Sequence, residues 1–397
     1  MTQEMLFCDS IAADEEKVWL IVLRLNLLVE IERSTGILSP CGMLLSDQRT
    51  ITSYRSSMKY EKKVLLFPYE AKDICIYDTE KKSFDSIALD SEKQDETKLW
   101  GFTGCTRVND RIVVYGGGSV ILLLDLPTFE IHYLNLRDKL PENLNIGYWF
   151  WKYSYSRGSK LFLIPQSSPC IIELDVRTQE INYKVIPEKN DVCIDSFAFD
   201  GTDIYYVDRK KGETAVLTKY DLQLKQLETY EFGIDKQENL MTFGFFACVN
   251  GALWLLPGTG EKGYRYYKGN LEKIPDLPTT VKGNGPRNFP HEFNYRSGLL
   301  MEDGHILTIH AWSCQLVDIN TMDGSISTTA IVRERNVDWP GVVKKIFDNF
   351  FNDVYDEWME EMFESFLSEV VSAEQAGNNR LENRVGNKIF QVLRRNN

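Results

Sequence analysis

The sequence predicts an all-β fold, a seven-bladed β-propeller of four-stranded blades followed by a C-terminal α-helical tail. Three observations carry this. One strand grammar recurs seven times, a polar residue closing the third strand of each unit returns at a near-constant interval, and strand periodicity gives way to helical periodicity after Val332. The expected boundaries are 1–334 for the propeller and 335–397 for the tail.

Each unit reads as an apolar strand, a polar turn, a second apolar strand, a loop, a third strand ending in an acidic or polar residue, a turn and a fourth strand. The second unit shows it plainly, with strands at Thr50–Met58, Lys63–Phe67, Asp73–Tyr77 and Phe84–Leu89. The third repeats it at Gly101–Val108, Arg111–Tyr115, Val120–Leu124 and Phe129–Leu134. The sixth diverges most, running Met241–Val249, Ala252–Leu256 and Tyr264–Tyr267 before Lys268-Gly269-Asn270, and could be an irregular insert between six blades.

The third-strand closing residues are assigned to Glu32, Asp78, Asp125, Asp175, Asp221, Lys268 and Asp318, with spacings of 46, 47, 50, 46, 47 and 50 residues. Four-stranded propeller blades have periods of about 40–50 residues. Asp suits that position because its carboxylate accepts hydrogen bonds from the amides of the following turn. Asn109-Asp110, Arg157-Gly158, Asp200-Gly201, Asn250-Gly251 and Asp303-Gly304 mark hairpins between first and second strands. A sandwich or jelly roll would not require a fixed period, and the β-branched and aromatic content argues against a helical solenoid.

In the tail, Pro340 suits a first helical turn, and Phe347, Phe351, Val354, Trp358, Met362 and Phe366 follow at helical spacing on one face. Asp348, Asp353, Asp356, Glu357, Glu360, Glu361 and Glu364 form the opposite face. Such an aromatic stripe needs cover, because burying each large side chain is worth about 1.5–3 kcal/mol. The cover is either the chain's own propeller or a partner, including a second copy, so self-association through the tail is an open alternative.

Formal net charge is −13, with 43% hydrophobic and 12% aromatic residues, which describes a folded chain and disfavours nucleic acid or an anionic membrane as partner. Apolar runs are strand-length, so no membrane insertion is expected. The N-terminal segment lacks a secretory pattern, and the eight cysteines lack paired or metal spacing. Reduced thiols in a cytoplasmic protein are the expectation. No cofactor and no metal site is expected, because the four histidines do not converge and no HExxH, GxSxG or phosphate-loop motif is present.

Propeller geometry directs attention to the end where blade-to-blade connections and second-to-third-strand loops meet. The candidate ligand-binding rim there comprises Tyr69, Trp100, Trp149, Trp151, Gln166, His291, Tyr295, Arg296 and Trp312. Aromatic faces with a few polar groups suit a glycan or a protein segment, and the candidate partner-binding tail residues are Phe347, Phe351, Val354, Trp358, Met362 and Phe366. The functional expectation is a non-enzymatic binding or scaffold protein. The alternative is a lyase or hydrolase centred on the channel, which would need ionisable groups converging there; His291 with Arg296 is the cluster that points that way.

Leu66–Asp78, Leu163-Ile164-Pro165 and Ile171-Ile172-Glu173-Leu174-Asp175 resemble blades of cytosolic bacterial β-propeller proteins. Val385-Gly386-Asn387-Lys388-Ile389-Phe390 resembles the tails of such proteins found beside glycosyltransferases in polysaccharide gene clusters. The resemblance implies an accessory role near carbohydrate synthesis and carries over no catalytic residue.

Overall fold

The computed structural model describes residues 8–22, 26–44, 52–94, 100–141, 154–164, 170–186, 194–209, 214–233, 243–258, 262–278, 294–311, 313–339 and 341–342. Seven antiparallel sheets follow one another along the chain, each of four strands in sequence order. From blade 1 to blade 7 the innermost strands are Ile11–Ala13, Tyr54–Tyr60, Phe102–Val108, Tyr155–Arg157, Ile194–Phe199, Phe243–Val249 and Tyr295–Leu300. The second and third strands of a blade are buried on both faces, as in Val64–Phe67 and Ile121–Leu124, so they read as apolar runs instead of alternating. Outer strands such as Ser83–Ala88 are largely exposed and correspondingly polar.

The core is not a single mass. It divides into seven apolar layers, one between each pair of neighbouring blades, and the layer joining blade 7 to blade 1 sets Leu307, Ile309 and Leu316 against Ile11, Leu20 and Val29. That layer closes the ring. Val332–Arg333 adds a fifth, parallel strand to the outer edge of blade 1, opposite Ile37 and Leu38, through Val332 N to Gly36 O (2.9 Å) and Glu334 N to Leu38 O (2.9 Å). Trp339 then drops into the same layer, 3% exposed, with its indole Nε1 donating to Glu334 O at 3.1 Å. Asp338 caps the turn that follows: its Oδ1 accepts from Gly341 N and its carbonyl from Val342 N, both at 3.0 Å. The helical tail expected beyond this turn lies outside the described residues.

The register corrects two closing-residue assignments. Each second strand begins opposite the closing residue, giving Glu32, Asp78, Asp125, Asp175, Asp221, Tyr267 and Asn320. Tyr267 thus replaces Lys268 and Asn320 replaces Asp318. Asn320 Oδ1 accepts from Met322 N (2.9 Å), the same turn bond that Asp175 Oδ1 accepts from Arg177 N (2.9 Å), so amide and carboxylate serve equally. Asp318 lies two residues earlier on the strand and instead accepts from Arg33 Nη2 (2.9 Å) and His305 Nδ1 (2.6 Å). The sixth unit is a complete blade, not an insert: Asn270–Lys273 is its fourth strand, reached through the Lys268-Gly269 turn, where both residues have positive φ.

His310 closes the second strand of blade 7, 1% exposed, bonded to Asn294 Oδ1 (3.0 Å) and Ser313 Oγ (2.6 Å). Burial lowers its pKa from 6.5 to about 4. The folded state therefore favours neutral imidazole: this contribution is complete above pH 6.5 and is lost as pH falls toward 4, because the unfolded chain takes up the proton first. Over that window the loss should reach about 3 kcal/mol. Denaturant midpoints measured across it should fall with pH in the parent and fall less in His310→Gln; equal slopes would contradict the assignment.

Candidate functional site

The innermost strands surround a central channel. Among the described residues a cavity of about 1040 Å³ runs along it, lined by Ser10, Ser56, Thr103, Cys105, Phe246 and Gly298 with their strand neighbours. Side chains stitch the strands from blade to blade. Ser10 Oγ accepts from Ser57 N (2.9 Å), Cys105 Sγ donates to Ser57 O (3.4 Å), the Thr106 and Ser154 hydroxyls meet at 2.5 Å, and Tyr155 Oη donates to Phe246 O (3.1 Å).

One irregularity recurs at one level. The pairing of first and second strands skips Arg55, Thr103, Asp195 and Gly244, and it shifts across Arg296–Ser297 in blade 7. A β-bulge inserts an unpaired residue and re-aims its side chain. Repeating it in register places a ring of such residues near the connector end of the channel.

Two of them converge on a third residue. Asp9, two residues ahead of the innermost strand of blade 1, accepts from Arg55 Nε at Oδ2 (2.7 Å) and from Arg296 Nε at Oδ1. Asp9 is only 7% exposed, and the two arginines reach it from the blades on either side. Tyr69, in the loop after the second strand of blade 2, lies under the Arg55 guanidinium, 4.5 Å from its ring centre. Burial works against the Arg55 charge, but Asp9 and Tyr69 outweigh it and raise the pKa. For Tyr69, burial raises the pKa and Arg55 partly opposes that. Arg55, Arg296 and Asp9 thus share a site largely withdrawn from solvent.

At the opposite, hairpin end the channel mouth carries Asp14, Glu15, Glu61, Asp200, Glu302 and Asp303 against Arg33, Lys59 and Arg107. These cations are engaged locally: Lys59 Nζ lies 3.5 Å from Asp14, and Arg33 is held by Asp318. The channel wall also holds Cys105 and Cys248. Burial pushes Cys105 up to about 12 and Cys248 well above its ordinary value, so both remain thiols at neutral pH.

Of the rim residues selected from sequence, Tyr69 and Arg296 come together around Asp9. Trp100 is buried and stacked with Phe102 and with Tyr133, each ring centre 5.6 Å away, so it is engaged in packing. Tyr295 is fully buried between blades, its hydroxyl donating to Pro278 O (3.0 Å). Trp149, Trp151, Gln166, His291 and Trp312, with Phe347, Phe351, Val354, Trp358, Met362 and Phe366, lie outside the described residues. Asp9 and Arg55 were missed. Aligning the seven first strands would have found them, because a charged residue then falls at one offset in blades 1, 2, 5 and 7, at Asp9, Arg55, Asp195 and Arg296.

Among the described residues Asp125, Glu130 and His132 are the one set spaced to hold a metal ion. There His132 Nε2 lies 3.1 Å from Asp125 Oδ2 while Arg111 bonds the other carboxylate oxygen, a local ion-pair arrangement on an outer edge.

The fold is shared with solved propellers. A streptogramin B lyase structure aligns with a TM-score of 0.54 and 14% identity, over 83% of this chain and 95% of that one. The extracellular domain of a putative hybrid two-component system from B. thetaiotaomicron aligns at 0.50 and 14% identity, over 84% of this chain and 40% of that one. The extracellular domain of a putative one-component system from the same organism aligns at 0.51 and 11% identity, over 82% of this chain and 38% of that one. Likeness at these identities concerns the fold. No family model matches the chain, and no curated protein matches it.

Proposed function

We propose that this chain is a non-catalytic binding propeller, an accessory protein that engages a protein or glycan partner at the connector end of its channel. The observation that carries this reading is the chemistry of the converging groups. Convergence of ionisable groups was the condition for the enzymatic alternative; among the described residues, those that meet at the connector end are the guanidiniums of Arg55 and Arg296 and the carboxylate of Asp9. Arginine remains charged at every physiological pH and offers only hydrogen-bond donors. Such a set recognises charge and shape better than it moves protons. The protonated channel thiols equally disfavour a cysteine nucleophile.

A tail helix beyond Val342 would give a second docking surface, supported by the capped turn at Asp338 and the anchoring of Trp339. The cytoplasm is the proposed location, supported by the scattered spacing of the eight cysteines along the sequence. A role beside carbohydrate-building enzymes rests on the sequence resemblance.

The test is direct. Thr103→Phe adds a ring to the channel wall at the level of the bulges. Glycan and peptide arrays probed with the full-length chain should lose their captured ligands on this substitution. Undiminished capture by the folded variant would place binding elsewhere and contradict the reading.

A further inference from the structure

A second site lies away from the channel, at the seam between blades 6 and 7, and it stands independently of the binding reading above. We infer that Arg265 presents a preformed oxyanion-binding fork at this seam. Arg265 belongs to the third strand of blade 6, directly opposite Trp254 on the second, and Trp254 is part of the apolar layer between the two blades. The guanidinium carbon lies 5.1 Å from the Trp254 ring centre and 5.0 Å from that of Tyr267, two residues further along the strand. Contacts of this kind hold a guanidinium in place and offset part of the cost of withdrawing it from water.

What the arrangement lacks is an acceptor. Among the described residues Arg265 makes no hydrogen bond and no ion pair. Its Nε is sealed from solvent while the residue as a whole is only half-buried, so the terminal nitrogens are the ones that meet solvent. The indole Nε1 of Trp254, a residue 1% exposed, also finds no acceptor among the described residues. Buried donors ordinarily have partners, and two orphaned donors in one cross-strand pair mark a place short of an oxygen.

The neighbouring carboxylates do not supply it. Glu272, opposite Arg265 on the fourth strand, is exposed and makes no ion pair with it. Asp323, in the outer turn of blade 7, engages Ser325 through its Oδ1, at 2.8 Å from N and 2.7 Å from Oγ. Lys268 adds a second cation, with Nζ 4.9 Å from the Tyr267 ring centre. Gly324, whose φ of +80° already favours glycine, stands beside the fork: a β-carbon there would lie 3.6 Å from Arg265 Nη1. A side chain at that position would cover the nitrogen, and glycine leaves it open. A guanidinium fixed against aromatic rings with its terminal nitrogens unengaged suits an anion offering two or more oxygens, a carboxylate or a phosphate.

The experiment separates these two sources. The full-length chain is titrated, by ligand-observed NMR, with N-acetylglutamate amide, N-acetyl-O-phosphoserine amide and the neutral N-acetylglutamine amide. Binding of either anion at least tenfold tighter than the neutral ligand is expected, and the anion preferred identifies the source. Arg265→Gln should weaken that binding at least tenfold, and Arg265→Lys, which keeps charge without the fork, should recover only part of it. Thr103→Phe, in the channel, should leave it unchanged, so failure here and failure of the channel reading are distinguishable. Arg265→Met keeps the length of the side chain and removes the unpartnered donors, so its melting temperature should equal or exceed that of the parent. A fall of more than 5 °C in Arg265→Met would show that the guanidinium serves packing, and the inference would fail. Equal binding of anionic and neutral ligands, or an anion preference that survives Arg265→Gln, would equally overturn it.

Discussion

Trp339→Ala is expected to destabilise the propeller by about 3–5 kcal/mol, the range for truncating a fully buried tryptophan. Trp339 is 3% exposed and sits in the layer between blades 7 and 1, beyond the fifth strand that Val332–Arg333 adds to blade 1. Among the described residues no strand ladder joins neighbouring blades, so the ring is held by its apolar layers, by side-chain contacts along the channel and by this closing segment. Removing the indole empties one layer and loses the Nε1 bond to Glu334 O. The melting temperature should fall by on the order of 10 °C, while Trp339→Phe should recover more than half of the loss. A change under 2 °C for the alanine variant would show that the segment does not close the ring.

The largest expected effect belongs to Gly244→Ala. A β-carbon at this bulge would stand 1.5 Å from Tyr295 O and 2.7 Å from its carbonyl carbon. Both obstructing atoms are backbone, so no side chain can swing aside; blades 6 and 7 must separate at the channel. Cores forced to accept extra atoms lose about 1–3 kcal/mol when side chains can adjust, and here the loss should exceed that range and abolish soluble folded protein. Gly158→Ala is the control. Its β-carbon would meet nothing within 4 Å, and only its φ of +60° opposes the change, so the cost should be about 1 kcal/mol. Comparable melting temperatures for the two variants would contradict the close strand approach.

Much of this architecture was legible in the sequence for a physical reason. Each blade needs the same turn after its third strand, and Asp78, Asp175 and Asp221 fill the same hydrogen-bonding role. The register slipped at Asp318 because Asn320 performs that role without a charge, and Asp318, two residues earlier, resembles the expected residue more closely. Blade 6 was harder because its closing position holds Tyr267, which cannot cap a turn and instead lies against Arg265, 5.0 Å from its ring centre.

The site was less legible than the fold. Aromatic residues at the starts of inner strands look like a ligand platform, yet Tyr54, Phe102, Phe243 and Tyr295 occupy one register position and all are buried between blades. Their recurrence marks packing. The ring residue that follows them varies in chemistry from blade to blade, as Arg55, Thr103, Gly244 and Arg296 show, so no single residue type marks the position in the sequence. A bulge also offsets the strand by a residue, which hides the ring from any reading by strict alternation.

If the arginines at the bulge level act in recognition and not only in cohesion, Arg33 supplies the comparison. It is as well buried as Arg55 and likewise held by one carboxylate, Asp318, but at the hairpin end of the ring. Arg55→Gln and Arg33→Gln should therefore cost similar stability. Probed side by side on glycan and peptide arrays, Arg55→Gln should lose at least tenfold in captured ligand and Arg33→Gln less than twofold. Equal losses in the two variants, or none in Arg55→Gln, would contradict the account.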